Sequence, residues 1–268
     1  MSDHILSLSH GKDSLACIYV IKEVLGWPLD RIVHAEVWAT PTIPADLPPM
    51  VQFKAKADAI IKERWGIDVE HKAATLVDGI RGGRVSYQDV FYKILTAGAY
   101  AGSIKGFPNT VGNWCQKLKL KAMPKVSDGV LYLGIAADEP ERIARHIGKP
   151  NTKLPLVEAG WTEAMCRNWC DENDLLSPIY TTATRGGCWF CHNQGVDQLR
   201  LLRRDYPDYW ALLLKWDLDS PVTFKPDGHT VHDYEERFKL EDQGFIQPTD
   251  KWYWGYIENR PLQMKISF

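Results

Sequence analysis

An α/β fold is predicted, with a mostly parallel sheet flanked by helices and a helical C-terminal extension. Three observations predict it. Short apolar runs alternate with helical patterns from residue 4 to residue 74. The turn between the first two of these carries small and hydroxyl residues, as strand-to-helix junctions in α/β proteins do. A second buried-looking strand, "GVLYLGIAA" (129–137), again runs into a helix. The 268 residues suffice for one large domain, or one with a substantial appendix, and 45% are hydrophobic, enough for a packed core.

Taken in order, residues 4–9 read as a short buried strand and 13–25 as a helix apolar almost all round, closed by Gly26 with Pro28 beyond. "RIVHAEVWAT" (31–40) is a second strand, followed by the Pro-rich loop "TIPADLPP". In 50–66, Met50, Phe53, Ala57 and Ile60 recur at helical spacing and Gly66 ends the helix. "IDVEHKAA" is a third strand. After the 129–137 strand, Asp138 and Glu141 suggest a cap, with Pro140 in the first turn. "TEAMCRNWCDEND" is a short helix, "TRGGCWFCHNQG" a compact loop, and "VDQLRLLRRDYPDYWALLLKWDLD" and "YEERFKLEDQG" are helical. The expected division is a nucleotide-binding α/β domain over 1–180, with 181–268 carrying the cysteine loop and a helical segment packed on it.

The net charge of −2 gives no global signal for binding a polyanion, so any nucleic-acid contact must come from a local patch. Cysteines at 17, 115, 166, 170, 188 and 191 are too sparse for a secreted disulfide framework. The first ten residues have neither a basic start nor a long apolar run, and no run approaches the ~20 residues of a membrane span. A cytoplasmic protein with reduced thiols and no membrane partner is expected.

The first candidate site is Ser9-His10-Gly11-Lys12-Asp13-Ser14. Amides at a helix N-terminus favour an anion, Gly11 lets the backbone approach closely, Ser9 and Ser14 offer hydroxyls and Lys12 a full charge. Asp13 beside a phosphate suits Mg2+ or the positioning of a leaving group. Ser9 and Asp13 also suit a plain capped helix start. The stretch is not a Walker A loop or a dinucleotide fingerprint, because it lacks their glycines. It resembles the PP-loop of the N-type ATP pyrophosphatase superfamily, Ser-Gly-Gly-x-Asp-Ser, with His10 in place of the first glycine. That resemblance implies an adenine nucleotide alpha hydrolase-like fold, ATP with Mg2+ held at residues 9–14, and attack on the α-phosphate with pyrophosphate leaving. It gives Lys12, Asp13 and Ser14 the catalytic roles.

The second site is Cys188-x-x-Cys191, a metal-ligand or redox spacing, with Cys115 far upstream. Three thiolates hold zinc with a fourth ligand, or an iron–sulfur cluster with one open iron. His192 is one fourth ligand on offer. Cys166 and Cys170, one helical turn apart, are others, although they also suit burial beside Met165 and Trp169. Spacing alone does not separate Zn2+ from a 4Fe-4S cluster.

The order "NWCQKLK", "LGIAADEPERIAR", "PLVEAGWTEAMC", "GGCWFC" resembles the phosphoadenosine phosphosulfate (PAPS) reductase family over residues 4 to about 195. By that resemblance Arg142 is a nucleotide contact, and Ala136 replaces the usual arginine. Gln116 stands where cluster-bearing reductases have a second cysteine, and no cysteine follows Cys191. Sulfonucleotide (PAPS or APS) reduction, which needs a late nucleophilic thiol, is therefore the alternative. The first reading is adenylation of a substrate by ATP, serving sulfur transfer to a nucleic acid with a sulfur donor or partner protein, as in tRNA 2-thiocytidine synthetases. A non-catalytic nucleotide- and metal-binding regulator is a third. Lys117, Lys119, Lys121 and Lys125 form a local basic run that can hold phosphates or simply be solvated. Arg185 precedes the cysteine loop as a substrate-facing candidate. "KWYWGY" (251–256) can stack bases but more simply packs on the chain.

Overall fold

A computed structural model describes residues 3–75, 84–98, 100–108, 114–124, 129–181, 187–251 and 254. The elements run β1 (His4–Leu8), α1 (Lys12–Tyr19), β2 (Arg31–Glu36), α2 (Pro48–Trp65), β3 (Val69–Ala73), α3 (Tyr87–Phe91), α4 (Trp114–Ala122), β4 (Val130–Leu133), α5 (Pro140–Ala144), β5 (Thr152–Lys153), α6 (Pro155–Glu158), α7 (Glu163–Glu172), α8 (Val196–Asp205), α9 (Pro207–Asp219) and α10 (Val231–Asp242). The strands form one sheet in the order β3-β2-β1-β4-β5, every pairing parallel. This is the α/β architecture the sequence predicts. The order reverses between β1 and β4, and in such sheets ligands bind at the carboxyl ends of the strands flanking that point. Among the described residues no helix is long and apolar enough to cross a membrane.

The chain divides into two compact units, one of residues 1–90 with 114–188 and the other of 91–113 with 189–268. The first contains the sheet. Central strands of a parallel sheet are covered on both faces and so are apolar nearly throughout. Accordingly Ile5, Leu6 and Leu8 of β1 and Ile32 and Val33 of β2 are buried. Leu15, Ala16, Cys17 and Ile18 of α1 join Phe53, Ala57 and Ile61 of α2 and Cys166, Trp169 and Cys170 of α7 in the same core.

Several boundaries differ from the sequence-based expectation, each for a local reason. The helix expected over 13–25 starts at Lys12, and its α-form stops at Tyr19. Val20–Val24 is a π-helical turn closed by Leu25 and Trp27 amides on the Val20 and Ile21 carbonyls. The third strand starts at Val69 instead of 67, and the 129–137 strand is shortened to β4. Asp138 does not cap α5; its carboxylate accepts from the Glu163 amide, and Glu139 occupies the N-cap position. The helical stretch 196–219 is two helices. Pro207 drives Tyr206 to φ −135°, ψ 62°, outside the helical region, and then opens α9.

The second unit is aromatic-rich, which is where several of the eleven tryptophans go. Trp189 stacks on Trp216 at 5.7 Å and on Tyr209 at 4.9 Å, and Phe91 packs on Phe107 at 5.3 Å. An ionic network ties α8 to α10. Arg200 donates to the Glu241 carboxylate at 2.6 and 3.0 Å, and Arg237 donates to it at 2.8 Å. The Glu241 side chain is 5% exposed. Burial pushes the Glu241 carboxyl up, but Arg200 and Arg237 outweigh burial and hold it below its ordinary 4.5. Its contribution is complete above pH 4.5 and fades as the pH falls through the lower folded value. Glu241→Ala strands two guanidinium groups and is expected to cost about 3–5 kcal/mol in denaturant unfolding at neutral pH. The cost should shrink on acidification.

Candidate active site

The loop between β1 and α1 is fixed by its own hydroxyls. The Ser14 hydroxyl donates to the Gly11 carbonyl at 3.0 Å and accepts from the Ser9 amide at 3.2 Å. The Ser9 hydroxyl lies 3.0 Å from Ser14 Oγ and accepts from the Gly11 amide at 3.3 Å. The Lys12 amide, at the mouth of α1, donates to the Tyr180 hydroxyl at 3.2 Å. Gly11 has φ −79°, and a Cβ there meets only Ser9 Oγ and Tyr180 Oη at 3.4 Å. The close backbone approach is instead at Gly134, just after β4. A Cβ on Gly134 would lie 2.7 Å from Ser14 Cα and 3.0 Å from the Asp13 carbonyl oxygen.

A cavity of about 410 Å³ opens at the carboxyl ends of β1, β2 and β4 in the first unit. Ser9, His10, Gly11, Asp13, Ser14 and Arg142 line it, as do Lys119 and Cys188. Lys12 does not. Its ammonium turns to Asp13 at 2.7 Å and Glu163 at 3.1 Å. Burial opposes the Lys12 charge, but the two carboxylates outweigh it and raise the ammonium above its ordinary value. Burial, together with Glu163 and Glu139, raises the Asp13 carboxyl despite Lys12. Asp13, Glu139 and Glu163 bring carboxylate oxygens within 4.8 Å of one another, a hard-oxygen set that fits Mg2+. Arg142 is half-exposed, and its Nη1 alone donates to both Glu139 carboxylate oxygens, at 2.6 and 2.7 Å. The Ala136 amide donates to the same carboxylate at 3.1 Å, so Glu139 fills the strand end that lacks an arginine.

None of the six cysteines is in a disulfide. In the first unit, Cys115 is half-buried in the first turn of α4 and Cys188 is half-buried at the cavity wall. In the second, Cys191 is half-buried and His192 buried. Thiols suit zinc or an iron–sulfur cluster by donor chemistry. Cys166 and Cys170 belong to the core beneath the loop. Cys170 donates to the Lys12 carbonyl at 3.3 Å, and burial pushes its thiol up to about 12 and that of Cys166 higher. Lys117, Lys119 and Lys121 are exposed on α4. Lys125, Arg185 and most of "KWYWGY" lie outside the described residues.

His10 takes φ 58°, the left-handed conformation that favours glycine, at the position where the PP-loop pattern has one. It is fully buried, and its Nε2 donates to Asp58 at 2.7 Å. Burial lowers its pKa despite Asp58, so the ring is neutral. His10→Gly relieves about 1 kcal/mol of backbone strain. It also removes a buried ring and a bond to a carboxylate worth about 1.5–3 kcal/mol. A net loss of about 1–2 kcal/mol is expected in urea unfolding with chelator present; a gain would mean the imidazole contributes nothing.

Sequence reasoning missed four residues at this site. The His34 Nδ1 donates to the Leu8 carbonyl at 2.8 Å, and its Nε2 accepts from the Lys54 ammonium at 3.0 Å. Burial and then Lys54 push His34 down to about 2. Lys54 is also paired with Asp46 at 2.5 Å, and all three line the cavity. Tyr180, on the loop mouth, is the fourth. Only the alternation of His34 along β2 is visible in the chain; the rest meet through tertiary contacts.

No protein family matches the chain by its sequence profile, and no curated protein matches it. Among solved structures, the U34-tRNA thiolase NcsA from Methanococcus maripaludis with its 4Fe-4S cluster is similar at 13% identity and a TM-score of 0.39, over 88% of this chain and 80% of that one. A likeness at that score carries no weight for function.

Proposed function

We propose that the first unit binds ATP or a related adenine nucleotide with its phosphates against Ser9–Ser14, and activates a substrate by adenylation with pyrophosphate release. The carrying observation is the cavity at the sheet's switch point, lined by loop hydroxyls, Asp13 and Arg142. The α1 N-terminus and the amides of Gly11 and Lys12 would face the phosphates. Asp13, with Glu139 and Glu163, would hold Mg2+, which supplies charge neutralisation to the leaving pyrophosphate. On this reading Lys12 exchanges its carboxylates for phosphate when nucleotide enters, and Tyr180 yields the Lys12 amide. Loop amides and Lys12 held in place stabilise charge as it develops.

Cys188 on the cavity wall favours a thiol-held centre beside the reacting phosphate. Cys115 and Cys188, both in this unit, would be among its ligands. If iron–sulfur, the centre would present sulfide taken from a sulfur donor; attack of that sulfide on the adenylated carbon of a nucleic acid would release AMP, with the exposed lysines of α4 receiving the backbone. Anaerobic purification with metal analysis separates the options: iron and a brown colour support sulfur chemistry, while stoichiometric zinc without iron removes it. Nucleotide binding is tested by calorimetry, where Ser14→Ala should weaken ATP about tenfold. A second reading, a nucleotide-binding regulator, is favoured by the turned-away Lys12. It expects ATP affinity without turnover.

A further inference from the structure

Beside the cavity wall, the carboxyl ends of three adjacent strands carry three histidines. His10 follows β1, His34 is on β2, and His71 is on β3, opposite His34 in register. The His34 ring lies 4.6 Å from that of His10 and 5.2 Å from that of His71. Asp58 of α2 reaches into this layer. Its Oδ1 is 2.7 Å from His10 Nε2 and its Oδ2 is 2.8 Å from His71 Nε2. On the far side, His71 Nδ1 is 3.0 Å from Glu36.

We infer that His10, Asp58 and His71 form a binding site for a divalent first-row cation, zinc by its donor set, distinct from both the carboxylate trio and the thiols. The three ligand atoms all lie within 4.8 Å of one another. Tetrahedral zinc with bonds of about 2.0–2.1 Å needs ligand atoms about 3.3–3.5 Å apart, which small side-chain shifts from the present spacing reach. Two imidazoles and a carboxylate, with one position left for water, are a borderline nitrogen–oxygen set that zinc accepts and Mg2+ does not favour.

The second observation is the placing of His71 between two carboxylates. A neutral imidazole has one N–H and one lone pair, enough to serve one carboxylate as donor. With Nδ1–H given to Glu36, the Nε2 lone pair faces the Asp58 oxygen. Only a second proton or a metal cation satisfies that contact. Carboxylate–histidine–metal is also the arrangement by which proteins orient a ligating ring. Charge closes as well. Asp46 neutralises Lys54, and the two negative charges of Asp58 and Glu36 match one divalent cation. His34 is excluded as a ligand because Leu8 and Lys54 occupy both ring nitrogens. His71 is exposed on the edge strand, which gives the ion a way in. Bound there, the ion would tie the loop residue His10 to α2 and β3.

The test uses the full chain, stripped by chelator and titrated with Co2+ as an optical probe for zinc. A nitrogen–oxygen site gives visible ligand-field bands without the near-ultraviolet charge transfer that thiolates produce. Asp58 and His71 do not themselves line the cavity, and His71 makes no bond to a loop residue, so His71→Ala is the variant that perturbs the nucleotide wall least. The expected result is one such Co2+ per chain, weakened at least 100-fold in His71→Ala and in Asp58→Asn, and about 10–100-fold in Glu36→Gln. Any thiolate-type band should persist in all three. Circular dichroism confirms folding, and if Asp58→Asn does not fold, His71→Ala at the exposed edge decides alone. Absence of the thiolate-free bands in the wild type, or their survival in His71→Ala, overturns the site and leaves a proton between Asp58 and His71.

Discussion

Asp13→Ala is expected to lower pyrophosphate release from ATP at least 100-fold while weakening nucleotide binding far less. Asp13 is the loop's one carboxylate and lines the cavity, with Glu139 and Glu163 in metal-sharing range. Removing it takes a ligand from Mg2+ and a partner from Lys12 together. Losing one preorganised electrostatic contact costs about 100–1,000-fold in turnover. Asp13→Asn keeps the shape and should be nearly as damaging if charge is what matters. In the metal-free chain burial raises the Asp13 carboxyl above its ordinary 3.8, so Mg2+ affinity should weaken as the pH falls through that raised value. Steady-state assays across pH on the wild type and both variants give the answer; a variant with wild-type turnover would remove the loop from the chemistry.

Gly134→Ala is expected to damage both stability and activity with a single methyl group. The added Cβ would sit 2.7 Å from Ser14 Cα and 3.0 Å from the Ser14 nitrogen. Both are backbone atoms at the start of a buried helix, so no rotamer change makes room. The end of β4 or the start of α1 must move, at about 1–3 kcal/mol. A shift of about 1 Å in a positioning loop costs about 100-fold in rate. Gly11→Ala is the contrast. Its Cβ meets side-chain oxygens at 3.4 Å, and the residue already has φ −79°. It should fold normally, and any defect should be confined to nucleotide affinity. Equal folding defects in the two variants would contradict the close approach at Gly134.

The alternation of strands and helices was legible because the central strands are covered on both faces, so β1, β2 and β4 appear as apolar runs. β5 is two residues long and carries no such run, so it was missed. The candidate loop was legible because its residues are consecutive. What it contacts was not: Tyr180, Lys54 and Asp46 reach the cavity from segments 30 or more residues away in sequence. His10 shows the same division. Its replacement of a glycine is plain in the chain, but its left-handed backbone and its bond to Asp58 appear only once α2 lies against the sheet. Pro207 was a visible breaker, and the apolar pattern on either side concealed it.

The account rests on cleavage between the α- and β-phosphates at the cavity of the first unit. ATP labelled at the α-phosphate, incubated with the full chain, Mg2+ and bulk RNA under anaerobic conditions, tests this most directly. The predicted products are AMP, free or on RNA, and pyrophosphate, both lost in Asp13→Ala. ADP with inorganic phosphate as the products would contradict it, as would failure of the chain to bind ATP at all.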